Sequence, residues 1–316
     1  ISTTNTTVSA IHLEAGKSVA AGDASGGNVT ISGSGALTAG AGGRITIETG
    51  SVTASTGLGI ATGYNRYSSD EQTINYDLAG LGAGKYAIYR ESPSLAVTFN
   101  NANKTYDGLT NTGGNGLTVN SGFINGDTDA QIGHYAYSGS SQTAINVGTY
   151  VIGGTAISGL GYALTYSTGT LTVQKANLTI TGSKTYDMNT SLAGINLTAN
   201  GVHGEIFSMT GVGDNSNLIS KNVQTGSTLA SLTGLSLGTS ANGGLSTNYN
   251  ALSTTGSSVN VTAKSASVSA TATTLTYNGT TQNQSTETTS GFIAGDNIIV
   301  TGQASGKNAN TYTSNL

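Results

Sequence analysis

The sequence predicts an all-β chain: the C-terminal end of a right-handed parallel β-helix with a cap, followed by tandem small β-sandwich modules that form a rod. Three observations predict it. The first is composition: of 316 residues 47 are Gly, one is Pro and only 8% are charged, against roughly 25% in an average domain. Ser, Thr and Asn supply the polarity; with Gly they favour strands and turns over helices, and no long run carries apolar residues at helical spacing. The second is an echo near the N-terminus, where Gly26-Gly27-Asn28-Val29-Thr30-Ile31 returns as Gly42-Gly43-Arg44-Ile45-Thr46-Ile47, at an offset of 42 − 26 = 16. The third is Lys104-Thr105-Tyr106-Asp107-Gly108, which returns as Lys184-Thr185-Tyr186-Asp187 and, more weakly, as Thr276-Tyr277-Asn278-Gly279. Its offsets, 186 − 106 = 80 and 277 − 186 = 91, are those of small domains.

Residues 1–63 read as short β-forming runs between Gly-rich turns: Thr7–Leu13, Asn28–Ile31, Arg44–Ile47 and Ser51–Ala54. Stacked coils with apolar positions in register suit a β-helix end; an antiparallel sandwich with glycine turns is the alternative. In residues 64–91 aromatic and charged side chains appear together, as in Tyr64-Asn65-Arg66-Tyr67 and Lys85-Tyr86-Ala87-Ile88-Tyr89-Arg90-Glu91. This is the composition of a cap that covers the last coil with a polar outer face. Pro93, the only proline, marks the join to the first module.

Residues 92–175 form the first sandwich repeat, 176–264 the second and 265–316 an incomplete third. Ser121-Gly122-Phe123-Ile124-Asn125-Gly126-Asp127 is matched by Ser290-Gly291-Phe292-Ile293-Ala294-Gly295-Asp296, and in degraded form by Gly201-Val202-His203-Gly204-Glu205. The close of module one, Tyr162…Leu171-Thr172-Val173-Gln174-Lys175, is repeated by Tyr249…Val259-Asn260-Val261-Thr262-Ala263-Lys264. Each closing strand runs almost directly into the next opening strand, which predicts little freedom between modules and hence a rod. Module three stops before its closing strand, so uncovered apolar positions are expected there.

Several function classes are disfavoured. Eleven Lys and Arg and a net charge of −4 give no basic patch for nucleic acid. The absence of Cys removes disulfides and thiolate metal sites. No apolar run approaches the roughly 20 residues of a membrane span. The start at Ile1 reads as a mature or excised fragment. His12, His134 and His203 fall in different modules, and the acids of residues 1–63, Glu14, Asp23 and Glu48, lie well apart in sequence. No catalytic, cofactor-binding or metal-ligating residue is therefore assigned, and no cofactor is expected. Asp127 with Asp129 offers too few carboxylates for a calcium loop.

The recurring motif itself reads as architecture. Asp or Asn bonds nearby backbone, Gly takes a positive φ, and Tyr anchors the module edge. The structural motif residues are thus Lys104, Tyr106, Asp107 and Gly108, then Lys184, Tyr186 and Asp187, then Tyr277, Asn278 and Gly279. Met188, Leu275 and Asn278 break the pattern, a tolerance that acid–base chemistry would not show. Sugar stacking on Tyr106, Tyr186 and Tyr277 is the functional alternative and requires all three to be exposed. A covalent Lys–Asn crosslink would use Lys104 or Lys184 with a nearby acid, and module three has Leu275 in place of the lysine.

The Lys-Thr-Tyr-Asp-Gly turn, the Ser-Gly-Phe-x-x-Gly-Asp segment, the Asn146-Val147-Gly148-Thr149-Tyr150 strand entry and the Gly-x-Leu-Thr-Val-x-Lys close together resemble the YDG and MBG repeats of large bacterial surface proteins similar to filamentous haemagglutinin. The resemblance covers over two thirds of the chain. It implies a secreted, cell-surface exoprotein exported by two-partner secretion through an outer-membrane pore, acting as an adhesin or biofilm matrix protein toward a host receptor or polysaccharide. The expectation is a monomeric, non-enzymatic stalk segment without a membrane span. The alternatives are carbohydrate-binding repeats, a β-helical polysaccharide-degrading enzyme, and an ice-binding protein, although Thr-x-Thr ranks such as Thr271-Ala272-Thr273 do not recur at one coil spacing.

Overall fold

The computed structural model describes residues 1–76, 80–128 and 132–316. They divide into two compact units, Ile1–Gln174 and Lys175–Leu316. Among the described residues the chain is nearly all β with only short 3-10 turns, in several open sheets.

The first unit opens with β1 (Ile11–Glu14), β2 (Arg44–Thr49), β3 (Asn65–Arg66) and β4 (Gly84–Tyr89). They form a parallel sheet in the order β1-β2-β4-β3. Ile11 stands opposite Ile45, Leu13 opposite Ile47, and Ile47 opposite Ala87. Side chains alternate along a strand, so these apolar ranks share the face that enters the core.

The N-terminal echo does not set the spacing of this pairing. Ile45 pairs with Ile11 before it and with Lys85 after it, at offsets of 45 − 11 = 34 and 85 − 45 = 40. The echoing segment instead pairs forward, with Thr30 bridging Thr56. Of the two alike runs only Arg44–Ile47 lies in a strand; Asn28–Ile31 makes an isolated bridge, Ser51–Ala54 is a turn rather than a strand, and register follows from which apolar face a run can bury. Residues 64–91, expected as a cap, supply β3 and β4 to the same sheet, with β4 between β2 and β3.

Arg90, at the end of β4, is only 1% exposed. Its guanidinium donates to the Ala15 carbonyl at 2.7 Å, to Gly26 at 2.8 Å and to Gly27 at 3.2 Å. A buried cation is tolerable where carbonyl oxygens replace its water, and here it ties the turn after β1 to the Gly26-Gly27 turn. Gly27 makes this possible: its φ is +62°, and an added Cβ would lie 2.5 Å from the Arg90 guanidinium and from the Ala15 carbonyl.

Module one adds β5 (Ser94–Phe99), β6 (Ala102–Thr105), β7 (Leu117–Ser121), β8 (Ile132–Ser138), β9 (Gly148–Ser158), β10 (Ala163–Ser167) and β11 (Gly169–Gln174). Two sheets result, β10-β5-β7 and β6-β11-β9-β8. Leu95 and Val97 from one, with Ile132 and Ala156 from the other, join Ile11, Ile45, Ile47 and Tyr67 in a single core cluster. The N-terminal sheet and module one are therefore packed as one unit.

The opening and closing segments of the module run side by side. Ser94 pairs in parallel with Ala163 (163 − 94 = 69), and Ala102 with Leu171 (171 − 102 = 69). The same offset holds through both pairs, so the two segments cross from one sheet to the other together. At the crossing side chains stand in for the ladder: Asn101 Oδ1 accepts the Thr170 N–H at 2.8 Å, and the Asn115 amide donates to the Asn101 carbonyl at 3.1 Å.

In the second unit β12 (Thr179–Thr185), β13 (Leu197–Asn200), β14 (Ile206–Gly211), β15 (Gln224–Thr228), β16 (Leu235–Ser240) and β17 (Ser258–Thr262) make one six-stranded sheet, ordered β15-β17-β12-β13-β14-β16. Its core includes Ile180, Ala199, Phe207, Met209 and Val259. The parallel pair of opening and closing strands recurs, with Lys184 opposite Val261 as Lys104 is opposite Val173.

The last segment carries β18 (Ser267–Ala270), β19 (Gln282–Asn283), β20 (Glu287–Ser290) and β21 (Ser305–Gly306), paired as β18-β20 and β19-β21. None of residues 262–316 is buried. The apolar positions Leu275, Phe292 and Ile299 are exposed.

Gly27→Ala is expected to destabilise the chain by about 2 kcal/mol or more, since the methyl group must displace a buried guanidinium from a left-handed turn. Gly80→Ala, whose methyl would meet open space, is expected to stay within about 0.5 kcal/mol of the parent. Urea denaturation followed by tyrosine fluorescence compares the two.

Candidate functional site

The recurring motif lies where the opening strand leaves its parallel partner. The Tyr106 N–H donates to the Gln174 carbonyl at 2.8 Å, and the Tyr186 N–H to that of Thr262 at 2.8 Å. Each is the last rung of the parallel pair, and the chain then turns away.

The turn is closed by the motif's own side chains. Asp107 Oδ1 accepts the Leu109 N–H at 2.9 Å, Asp187 Oδ1 that of Asn189 at 3.1 Å, and Asn278 Oδ1 that of Thr280 at 3.0 Å. This is an Asx turn, which either Asp or Asn can make. The lysine three residues earlier pairs with the same oxygen, Lys104 at 2.9 Å and Lys184 at 2.7 Å. Lys104 also donates to the Leu109 carbonyl at 2.7 Å. Lys184, which is buried, donates to the carbonyls of Asn189 and Ser191 and to Asn189 Oδ1 at 2.8 Å. A crosslink from Lys184 to Asn189 would join residues five apart, not the first and last strands.

Partial desolvation pushes the Asp107 and Asp187 carboxyls up, but the lysine ammonium and the turn N–H outweigh it and hold both below the usual carboxylate range. Gly108 and Gly279 take φ +76° and +78°, and Met188 takes +67° at the same point. A left-handed conformation disfavours any residue with a Cβ.

The three motif tyrosines do not share one environment. Tyr106 is 4% exposed, Tyr186 is half-buried, and Tyr277 is 61% exposed. Sugar stacking by all three needs three open ring faces, and Tyr106 has none.

The Gly-Asp segments form the second recurrent arrangement. Asp127 Oδ2 accepts the Tyr67 and Tyr162 hydroxyls, each at 2.7 Å, and the Asn125 amide donates to the Tyr67 oxygen at 3.0 Å. All three of Tyr67, Asp127 and Tyr162 are buried. The rings also pack, with Tyr67 stacked on Tyr89 at 5.7 Å and tilted against Tyr162 at 4.5 Å. Burial, then the hydrogen bonds to Tyr162 and Asp127, push the Tyr67 hydroxyl well above its ordinary pKa. Burial does the same for Tyr162.

In the second unit Glu205 Oε2 accepts the Tyr249 hydroxyl at 2.8 Å, and Asp296 Oδ1 accepts that of Tyr186 at 3.2 Å. The carboxylate therefore serves as a tyrosine acceptor in each module, which the sequence did not disclose. Its calcium-loop companion Asp129 lies outside the described residues.

Of the three histidines, His12 sits beside Glu14 and Glu48 on the parallel sheet. Sequence distance hid this trio, because the chain between β1 and β2 carries no signal that the two strands are in register.

Residues 95–172 match the family described as MBG domain (YGX type). The match begins in β5 and ends in β11, within the two segments that pair in parallel to close module one. No curated protein and no solved structure matches the chain.

Three outcomes are expected. Asp127→Ala removes a charged acceptor from two buried hydroxyls and is expected to destabilise the chain by about 3 kcal/mol, read by urea denaturation. Met188→Gly is expected to stabilise it by about 0.5–1 kcal/mol in the same assay. Asp107 and Asp187 have lowered folded-state pKa values, so their contribution is present above the unfolded carboxylate pKa of about 4 and is lost as pH falls through the lower folded values. The double variant Asp107→Asn, Asp187→Asn keeps the Asx turns and is expected to show a shallower fall in melting temperature between about pH 4 and pH 2.

Proposed function

We propose that the chain is a non-enzymatic stalk segment of a large secreted bacterial surface adhesin, and that it supports cell attachment or biofilm matrix interactions. The observation that carries this reading is the recurrence of one construction. Module two repeats the parallel opening–closing pair, the Lys–Asp turn and the tyrosine–carboxylate bond of module one, the module that matches the MBG family. Such domains are typical of extracellular and surface proteins. Repetition with Met188, Asn278 and Glu205 substituted for their counterparts suits a load-carrying framework, where shape must persist and no reacting atom must be placed.

The N-terminal parallel sheet, with Ile11 stacked on Ile45 and Leu13 on Ile47, is read as the end of a right-handed β-helix. Export by two-partner secretion through an outer-membrane pore, and a host receptor or polysaccharide bound elsewhere in the adhesin, complete the proposal. Among the described residues no helix is long and apolar enough to cross a membrane.

Carbohydrate binding is a second reading with one specific observation behind it. Tyr277 and Tyr312 line a groove of about 430 Å³ together with Gln282, Gln284, Asn308 and Asn310. Aromatic faces beside amide groups are the chemistry that stacks on and hydrogen-bonds a sugar.

A glycan array with a bacterial polysaccharide pull-down separates the readings. No retention is expected of a stalk. Retention that Tyr277→Ala abolishes would replace the stalk with a binding repeat, and polysaccharide cleavage that Glu48→Gln abolishes would replace it with an enzyme. In the parent adhesin, substituting residues 95–264 by unrelated β modules of equal length is expected to preserve attachment.

A further inference from the structure

The parallel register of the N-terminal sheet gathers three ligating side chains from two strands. Glu14 stands directly opposite Glu48, and His12 opposite Thr46. Residues two apart on a strand share a face, so His12, Glu14 and Glu48 project to the same side, away from the Ile11–Ile45 ranks. His12 Nε2 lies 3.1 Å from Glu48 Oε1, and Nδ1 lies 3.7 Å from Glu14 Oε1. One ligand atom from each of the three lies within 4.8 Å of the other two.

An ordinary surface ion pair would leave no oxygen stranded, and this cluster does. Glu48 is 7% exposed, faces the imidazole through Oε1, and its Oε2 is buried with no hydrogen-bond partner. A buried carboxylate with an unmet lone pair is costly unless a cation compensates it. Glu71 is a further carboxylate within electrostatic reach of Glu48, and its own Oε2 is likewise buried and unpartnered. Among these carboxylates Glu14 is paired with a permanent cation, Lys17, through Oε2 at 3.1 Å. The cluster holds a surplus of negative charge around a nitrogen donor.

We infer that His12, Glu14 and Glu48 form a binding site for a divalent transition-metal ion, with Zn²⁺ as the best-suited occupant, which would pin β1 to β2. One imidazole nitrogen and two carboxylate oxygens make a three-ligand set that Zn²⁺ completes with water. Calcium, which takes six to eight oxygens, is poorly served by it. The site is independent of the repeat motif and of the stalk reading; a metal there would serve the sheet, whatever the modules hold.

The test is isothermal titration of the full, chelator-treated chain with ZnCl₂, MnCl₂ and CaCl₂, together with Co²⁺ substitution read by visible absorption. One saturable Zn²⁺ equivalent is expected, with a raised melting temperature and a Co²⁺ spectrum that Zn²⁺ displaces. Glu48→Gln and His12→Ala are each expected to weaken Zn²⁺ at least about tenfold, while His134→Ala and His203→Ala leave it unchanged. Because Glu48 is buried, its variant is compared with the parent by metal-free melting; His12, which is exposed, supplies the second variant should that one fail to fold. No saturable Zn²⁺ binding would overturn the inference, as would binding indifferent to His12→Ala. Tighter retention of Ca²⁺ than of Zn²⁺ would overturn the assigned metal class.

Discussion

The structure of the first two repeats depends on one backbone constraint: the opening and closing strands must lie parallel and adjacent. Parallel strands cannot be joined by a tight turn, so the whole module is the crossover between them. In module one the partners keep a constant offset through two sheets, from Ser94–Ala163 to Ala102–Leu171. The pair must therefore switch sheets as a unit, and the asparagines at 101 and 115 hold its backbone where the ladder is interrupted. The recurring motif is the exit from this constraint. Its tyrosine N–H makes the last rung, and the Asp or Asn turn then redirects the chain.

A second tie uses side chains where a β protein with so few charges has little else. Buried tyrosine hydroxyls need partners, and a carboxylate supplies them, Asp127 in module one and Glu205 in module two, while Asp296 accepts the half-buried Tyr186. Around Asp127 the acceptor links Tyr67, which belongs to the N-terminal segment, with Tyr162 at the close of module one. Together with the stacking of Tyr67 on Tyr89, this bond joins the parallel sheet to the module and gives both one core. Arg90 performs the matching task inside the parallel sheet, meeting carbonyls where no aromatic could.

The sequence and the tertiary structure divided these features along a physical line. The Lys-Thr-Tyr-Asp-Gly turn was legible because its bonds reach only two or three positions along the chain, which cannot form one part without the other. Strand propensity in Arg44–Ile47 was legible for the same reason, yet its likeness to Asn28–Ile31 misled, since that run forms no strand and makes only an isolated bridge. Thr30 bridges Thr56, while Ile45 lies between Ile11 and Lys85. The cap expected at 64–91 was likewise drawn from local texture, and the placement of β4 inside the sheet reflects how Ile47 and Ala87 pack.

By itself, then, the sequence determined the β class, the repeat and the turns, since composition and short-range hydrogen bonding suffice for those. Only the tertiary structure decided that Tyr106 is closed to solvent while Tyr277 is open, because burial depends on what packs above a ring. It alone brought Asp127 under two tyrosines and set Glu14 beside Glu48 with His12 between them. The bonds of Asp127 to Tyr162, His12 to Glu48 and Tyr67 to Asp127 span 35, 36 and 60 positions. Contacts of that range are fixed by strand register and shared core, which no local pattern of residues encodes.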